Sequence, residues 1–443
     1  MAILPTISSK CNRKHKINFD GGDISSDGGF IFFQEFLSKI GFTDLLRKVF
    51  KTKGNDEYRK HSDAELLLQV IYQAFSGYMQ DDCADELRHD PVMTTLLEKE
   101  DLASQPTISR FFNRMDEDTI EQFNQIMRAL RKIAYGIKPP EHILLDLDST
   151  LLNTYGNQEG QAFNYHYRDK GYHPLLCFDA LTGLLFKAML RAGNVYCSNG
   201  AAEFMNELLT ELQEDFPETL LYMRGDSGFA SPEIYETLEG QGCRYVIRLK
   251  DNPRLQKQVA YEVSEFIAYA MRTDPLKYSV TYGEFMYQAD SWNRQRRVAY
   301  KIEKPAEQMD PRVTFIVTSF EDISPTQVVQ LYCGRGKMEN FIKECKNGFG
   351  FNWLCSSREI TNANRLQAQC IAYNLVKCMQ NLVFPQHMKK HHINTIRIKL
   401  VKIAVRIVRK ARNIFFKLSS SCPYKREFYS IMDNIWNLKV QLE

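Results

Sequence analysis

The spacing of apolar residues changes along this chain, and the changes mark its organisation. Up to about residue 138, apolar positions recur every three or four residues, as on helices buried along one stripe. In HSDAELLLQVIYQAFSGY, Leu66, Leu67, Ile71 and Ala74 share one face, and Ser62 stands where an N-cap belongs. In ASQPTISRFFNRM, Ser104 is placed to cap a helix whose opening carries Gln105, Thr107, Ser109 and Arg110. That helix suits the second helix of a helix-turn-helix, and equally an ordinary capped helix.

From residue 139 short apolar runs take over. EHILLDLDST, HPLLCFDAL and TGLLFKAML predict three strands, with Thr182-Gly183 as the tight turn between the last two. AAEFMNELLTELQEDF predicts a helix, ETLLYMRGDSGF a fourth strand, SPEIYETLEGQG a helix and CRYVIRLK a fifth strand. Three strands, helix, strand, helix, strand is the order of an RNase H-like domain. From Asp251 to about Pro311, KYSVTYGEFMYQ and RRVAYKIEK predict an inserted β region. SPTQVVQLYCGRGKMENFIKECKNGF reads as one helix, with Ser324 and Gln327 at capping-box spacing and Pro325 in its first turn. Farther on, Ile396, Leu400, Ile403 and Ile407 fall at helical spacing, while Lys399, Lys402, Arg406, Arg409 and Lys410 lie mostly off that stripe.

Composition narrows the class. The chain has 443 residues, enough for several structural units, and its 44% hydrophobic and 25% charged residues are those of a globular protein. It has no apolar run of about 18 residues, and its start, MAILPTISSKCNRKHK, lacks a signal-peptide core, so no membrane span and a cytoplasmic, nucleoid-associated location are expected. The eleven cysteines, with no C-x-x-C pair, read as reduced thiols. A net charge of +3 conceals an asymmetry: Lys389 to Lys417 holds ten Lys or Arg and no acid, which fits a phosphate-binding surface. A solvated helix face is the plainer account of that stretch.

Three acids then stand out. Asp148 ends the first predicted strand, with Asp146 two residues earlier on the same face, and Asp226 ends the fourth, where Gly225 and Gly228 permit a tight exit. Carboxylates at adjacent strand ends suit a hard cation such as Mg²⁺, whose shell is completed by water and phosphate. On a single helix, Tyr332, Arg335, Glu339 and Lys346 lie within an arc of about 60°, and Glu344 falls on another face. An aromatic, two cations and an acid make a poor core stripe and a sensible active-site stripe.

Tyr, two residues, Arg, three residues, Glu, six residues, Lys resembles the signature of a large group of bacterial insertion-sequence DDE transposases. DLDST and RGDSGF resemble that group's first two acid motifs. NTYGNQEGQAFNYHYRDKGYHPLLCFDALTGLLFKAMLRAGN and ANRLQAQCIAYNL resemble its thirteen-eighty subgroup. The likeness runs from roughly Gly28 to Phe428; Ala192 departs from an expected proline, at a turn.

The resemblance implies Asp148, Asp226 and Glu339 as catalytic and metal-binding residues, with two Mg²⁺ ions (Mn²⁺ substituting) that Asp148 bridges. Tyr332, Arg335 and Lys346 would contact the element's end. The partners implied are double-stranded DNA, as terminal inverted repeats and target, and a second copy of the chain in the active complex. Trp292, followed by Arg296 and Arg297, suits a stacked base with phosphate contacts, or else plain core packing. Lys402, Arg406 and Arg409 are expected on DNA backbone.

The expected class is α/β (α+β). A helical DNA-binding domain (1–138) precedes an RNase H-like core (139–250 and 316–392) interrupted by a β-rich region (251–315), and a basic segment (393–443) follows. Two other readings remain: an inactive DNA-binding relic, and a haloacid-dehalogenase-type phosphatase with Asp146 as nucleophile. The phosphatase needs a second acid four or five residues beyond Asp226, where Ala230 and Ser231 stand. His166 and His173 are assigned no metal.

Overall fold

The apolar runs of the middle of the chain assemble into one eight-stranded sheet. The computed structural model describes residues 6–54, 58–274, 276–308 and 310–440. The opening MAILP and the last three residues, at the outer ends of the two terminal segments expected above, lie outside the described residues. The strands are β1 (His142–Ser149), β2 (Leu175–Asp179), β3 (Leu185–Met189), β4 (Leu220–Gly225), β5 (Arg244–Leu249), β6 (Ser279–Tyr287), β7 (Arg296–Lys304) and β8 (Arg312–Thr318). Their order across the sheet is β6-β7-β8-β5-β4-β1-β2-β3. β1, β4 and β5 run parallel, and the remaining pairs are antiparallel. The helices read between β3 and β5 form as α1 (Ala201–Asp215) and α2 (Pro232–Gly240). Thr182-Gly183 makes the expected turn, with Gly183 at φ +74° and its N–H on the Asp179 carbonyl.

Two compact units are built from the chain. One comprises Met127–Lys346 with Leu354–Cys370, and the other Met1–Ile126 with Asn347–Trp353 and Ile371–Glu443. Within the second, Asp63–Ser76 is helical and opens on a full capping box: Glu65 N–H donates to Ser62 Oγ, and Ser62 N–H to Glu65. Phe33 and Phe75 stack in its core at 4.0 Å. Gln105–Asn113 forms as expected, but Ser104 bonds the Thr107 hydroxyl and caps no backbone N–H.

Three local expectations are corrected, and one element is new. Residues 251–315 open with two helices, Pro253–Gln258 and Ala260–Thr273. Their strands are no separate β region, because β8 pairs with β5 and extends the main sheet. A small sheet of Leu152–Asn153, Asp169–Tyr172 and Ala162–Asn164, unforeseen, fills the β1–β2 connection. The segment read as one helix is two, α3 (Pro325–Cys333) and α4 (Gly336–Phe349), broken where Gly334 and Gly336 flank Arg335. The basic helix fails as well. Helical structure stops at Val401, and Val405–Lys410 pairs with Asn413–Leu418 as a hairpin, turning at Ala411 and Arg412 with φ of +50° and +66°. Ile403, Val405 and Ile407 are buried alternately, so a period of two won over the helical spacing they also satisfy.

One polar contact lies at the centre of the main sheet. Arg224 of β4 donates through Nε and Nη2 to both oxygens of Asp146 on β1, at 2.6 and 2.7 Å, and through Nη1 to the Leu331 carbonyl in the last turn of α3 at 2.9 Å. Asp146 is wholly buried. Burial pushes its carboxyl above the ordinary carboxylate range, and the Arg224 fork pulls it back. Breaking such a buried pair on one side leaves a charge uncompensated, which costs about 3–5 kcal/mol. Asp146→Ala is therefore expected to lower the unfolding free energy by that much, read as a lower urea midpoint at unchanged slope. Asp146→Leu with Arg224→Met should recover most of it. A loss under about 1 kcal/mol in the single variant contradicts a structural role for the pair.

Candidate active site

The register of β1 against β4 sets the site. Arg224 lies opposite Asp146, so Asp226 and Asp148, each two residues farther on, leave the same edge of neighbouring parallel strands. Asp226 caps the short turn Ser227–Phe229, its Oδ1 accepting from Gly228 N–H at 2.8 Å. A Cβ on Gly228 would meet Cys197 Cβ at 2.9 Å, so the tight exit needs glycine. Asp148 Oδ1 accepts from Ser149 N–H at 2.8 Å. Each acid thereby keeps its Oδ2 for something else, and both face Arg335: Nη2 is 2.8 Å from Asp148 Oδ2, and Nη1 is 3.7 Å from Asp226 Oδ2.

Burial pushes the Asp148 carboxyl up to about 6; Arg335 opposes this, and the neighbouring Asp226 charge adds to it. Arg335 is raised by the same two acids against the lowering effect of burial. Its Nε is buried without a hydrogen-bond partner. Lys346 donates to the Leu151 carbonyl at 2.6 Å, three residues past Asp148, and burial lowers its pKa.

Of the other expected residues, Glu339 is exposed in the first turn of α4. Glu344, as read, faces elsewhere and is buried. Among the described residues no three His, Cys, Asp or Glu side chains gather to hold a metal, so two acids converge and the third does not join them here. The 60° stripe fails as geometry, because the helix breaks at Arg335. Tyr332 packs, half-buried, against the cluster of Val246, Ile316 and Val328.

Trp292 is 8% exposed and packed edge-on against Tyr235 and Tyr287, which is the core packing left open beside the stacking role. Arg296 is buried on Glu239 at 2.8 and 2.9 Å. Arg297 holds Glu284 and the carbonyls of Phe320 and Ile323. Lys402 is tied to Asp27 at 2.6 Å and to the Tyr78 hydroxyl at 2.8 Å, and Arg409 to Asp23 at 3.0 Å. Of that trio Arg406 is exposed and makes no ion pair among the described residues.

Asp146 has no access for a substrate, which removes the phosphatase nucleophile. His173 is buried with Nδ1 on the Val195 carbonyl at 2.8 Å. All eleven cysteines are free thiols, and no described helix is long and apolar enough to cross a membrane. The residue the sequence reading missed is Arg224, whose only signal was its place two positions before Asp226.

Comparison with known proteins bears on this arrangement. The family model described as "Transposase DDE domain group 1" matches residues 7–440. No curated protein matches the chain. Among solved structures, a cryo-EM piggyBac transposase synaptic complex with hairpin DNA matches at TM-score 0.44 and 16% identity, over 94% of this chain and 85% of that one. A Mos1 transposase paired-end complex with the left transposon end matches at TM-score 0.18 and 15% identity, over 44% and 61%.

The Asp148 carboxyl gives a stability test. Its folded pKa of about 6 lies above the ordinary aspartate value of 3.8, so between the two the folded state holds a proton that the unfolded chain has released. Stability therefore rises as pH falls from about 6 towards 4, and the penalty is fully present above 6. Asp148→Asn is expected to be more stable than the parent in urea at about pH 7.5, by roughly 1–3 kcal/mol without added metal, with the advantage gone near pH 4. An advantage constant across that range rules out the desolvated carboxylate as its source.

Proposed function

Because this chain belongs to the transposase DDE domain group 1 family, DNA transposases that cleave and rejoin strands with divalent metal ions, we propose that Asp148, Asp226 and Glu339 are the acids that do so here. The observation that carries this reading is the convergence of Asp148 and Asp226 on one positive charge at the ends of adjacent parallel strands. Two carboxylate oxygens freed for a cation fit Mg²⁺, which takes one or two carboxylates and fills its shell with water and phosphate. Mn²⁺ would substitute, with two ions at the site and Glu339 as a further ligand from α4. Such ions supply the positive charge that polarises a phosphodiester and stabilises its attacking and leaving oxygens.

The chain's own cations do the positioning. Arg335 carries an unpartnered Nε beside two N–H groups now on the acids, and a backbone phosphate arriving at this edge takes that fork as a bidentate contact. Lys346 adds a charge beside β1, and Tyr332 lies on the same segment. The reading extends to the Tyr-Arg-Glu-Lys signature and the thirteen-eighty subgroup. It further includes cleavage at terminal inverted repeats, joining of the freed 3′-OH to target DNA, and a dimer holding two ends. The C-terminal hairpin, with Arg406, Lys410, Arg412 and Lys417 exposed, supplies sequence-independent phosphate contacts.

A duplex made from the DNA flanking the gene tests this. Asp148→Ala, Asp226→Ala and Glu339→Ala should each abolish Mg²⁺-dependent nicking with duplex binding retained, while Glu344→Gln should nick. An active Glu339→Ala removes the third acid from the mechanism, and an inactive parent protein favours the relic. On the hairpin, Arg406→Gln should flatten the log–log salt slope of binding by about 0.9. Lys402→Gln should instead lower the melting temperature, because it strips the buried Asp27 of its cation. The reverse pattern, a flattened slope from Lys402→Gln alone, overturns the hairpin assignment.

A further inference from the structure

A cavity of about 500 Å³ opens beside the two acids, and Cys197 lines it together with them. The acids are not held to one another directly. Each is fixed by a backbone N–H group: Ser149 N–H donates to Asp148 Oδ1 and Gly228 N–H to Asp226 Oδ1, both at 2.8 Å. Ser149 ends β1 and Gly228 lies in the turn after β4, and a single side chain touches both. Ser149 donates its hydroxyl to Cys197 Sγ at 3.2 Å. A Cβ placed on Gly228 would lie 2.9 Å from Cys197 Cβ and 3.1 Å from its Sγ. Cys197 therefore bridges the two groups that anchor the acids.

Cys197 is in turn set by a cation. Arg191 is buried and makes no ion pair among the described residues. Its Nη1 donates to the Cys197 and Asn199 carbonyls at 3.2 and 2.7 Å and reaches that of Tyr196 at 3.4 Å, while its Nε donates to the His173 carbonyl at 3.0 Å. His173 closes the arrangement: its N–H donates to the Arg191 carbonyl at 3.0 Å, and its Nδ1 to the Val195 carbonyl at 2.8 Å. Gly193, in the same loop, is pressed so closely that a Cβ there would sit 2.1 Å from the Gly171 carbonyl oxygen. A buried charge is costly unless it is hydrogen-bonded, and here loop carbonyls take the place of a carboxylate. The same bonds that satisfy the guanidinium fix the loop at Cys197.

We propose that Cys197, clamped by Arg191, sets the separation of Asp148 and Asp226, so that both are positioning residues for the carboxylates that hold the metal. The inference rests on the reading of these acids as ligands to a divalent cation, and it adds what fixes their spacing. Mg²⁺ demands near-ideal octahedral geometry, so ligands that drift apart bind it less well. Groups that orient metal ligands without touching the ion are typically worth about 10–100-fold in affinity.

The test titrates the full-length protein with Mn²⁺, reading the free ion by electron paramagnetic resonance, and titrates Mg²⁺ in the nicking of the flanking duplex. Cys197→Ala removes the sulfur, and it should weaken Mn²⁺ binding about ten-fold and raise the Mg²⁺ needed for half-maximal nicking by a similar factor. Cys197→Ser keeps an atom that accepts from the Ser149 hydroxyl and should recover part of the loss. Arg191→Met should reproduce the metal defect and also lower the melting temperature. All titrations are made where each variant is folded by circular dichroism, so a lower melting temperature alone does not move the readout.

Parent-like Mn²⁺ affinity in Cys197→Ala overturns the proposal, whether or not Arg191→Met folds, and so does parent-like affinity in a folded Arg191→Met. Failure of the underlying reading is separable. If the parent binds no Mn²⁺ that Asp148→Ala abolishes, the acids are not the metal ligands and the inference falls with them. Binding lost in Asp148→Ala but intact in Cys197→Ala refutes the spacer alone.

Discussion

The buried fork between Arg224 and Asp146 is the contact on which the active edge depends. It joins the two central parallel strands side chain to side chain, beyond their backbone ladder, and it reaches on to a carbonyl that α3 leaves without a helical partner. One guanidinium thus sets three things together: the alignment of β1 with β4, the end of α3, and the place where the chain turns into α4. Gly334 belongs to the same arrangement, because a Cβ there would lie 2.6 Å from Arg224 Nη1, which is held by its hydrogen bond to Leu331. Arg335 follows at once and points at the acids. The acids are therefore aligned from behind, by a pair that never meets the substrate.

That arrangement explains what was legible beforehand and what was not. Strand order, the two acids at strand ends, the N-cap at Ser62 and the capping box at Ser324 are written in local spacing, and they form as read. The break between α3 and α4 is not legible as such, since a helical stripe runs straight through Gly334, whose need is set by Arg224, over a hundred residues away. Ile403, Val405 and Ile407 fit periods of 3.6 and 2 at once, and only the pairing of Val405 with Ser25 and Leu418 decides between them. The extension of the sheet through β8 likewise depends on a partner, β5, that is distant in sequence. Local pattern survives where burial is on one face, and it fails where a distant residue chooses between two patterns.

Charge followed the same rule. Aromatics beside cations suit nucleic acid, yet Trp292, Arg296, Arg297 and Lys402 are engaged inside the fold, and Arg409 is held at the surface by Asp23. The distinguishing information is the carboxylate partner. Glu239, Glu284, Asp27 and Asp23 lie from 13 to 386 residues away from the cations they hold. A count of basic residues overstates the surface left for phosphate by every such pair.

Arg335 is the cation for which both accounts hold. Two carboxylates 2.8 and 3.7 Å away satisfy it as an internal ion pair would, but its environment is unlike that of Arg224. Arg224 makes two hydrogen bonds with a fully buried acid and a third with the Leu331 carbonyl, whereas Arg335 leaves Nε unpartnered and shares two acids at the mouth of a cavity. Burial holds Asp148 near 6 even with Arg335 beside it, so one guanidinium does not fully compensate the desolvated carboxylate. An edge that is under-compensated by its own side chains favours additional positive charge, and a divalent ion offers more of it than an arginine does. Under the proposed function, acids so compensated would leave the guanidinium to a strand phosphate. The unpartnered Nε and the open cavity at this edge, set against the closed fork behind it, are what separate a binding site from a structural ion pair.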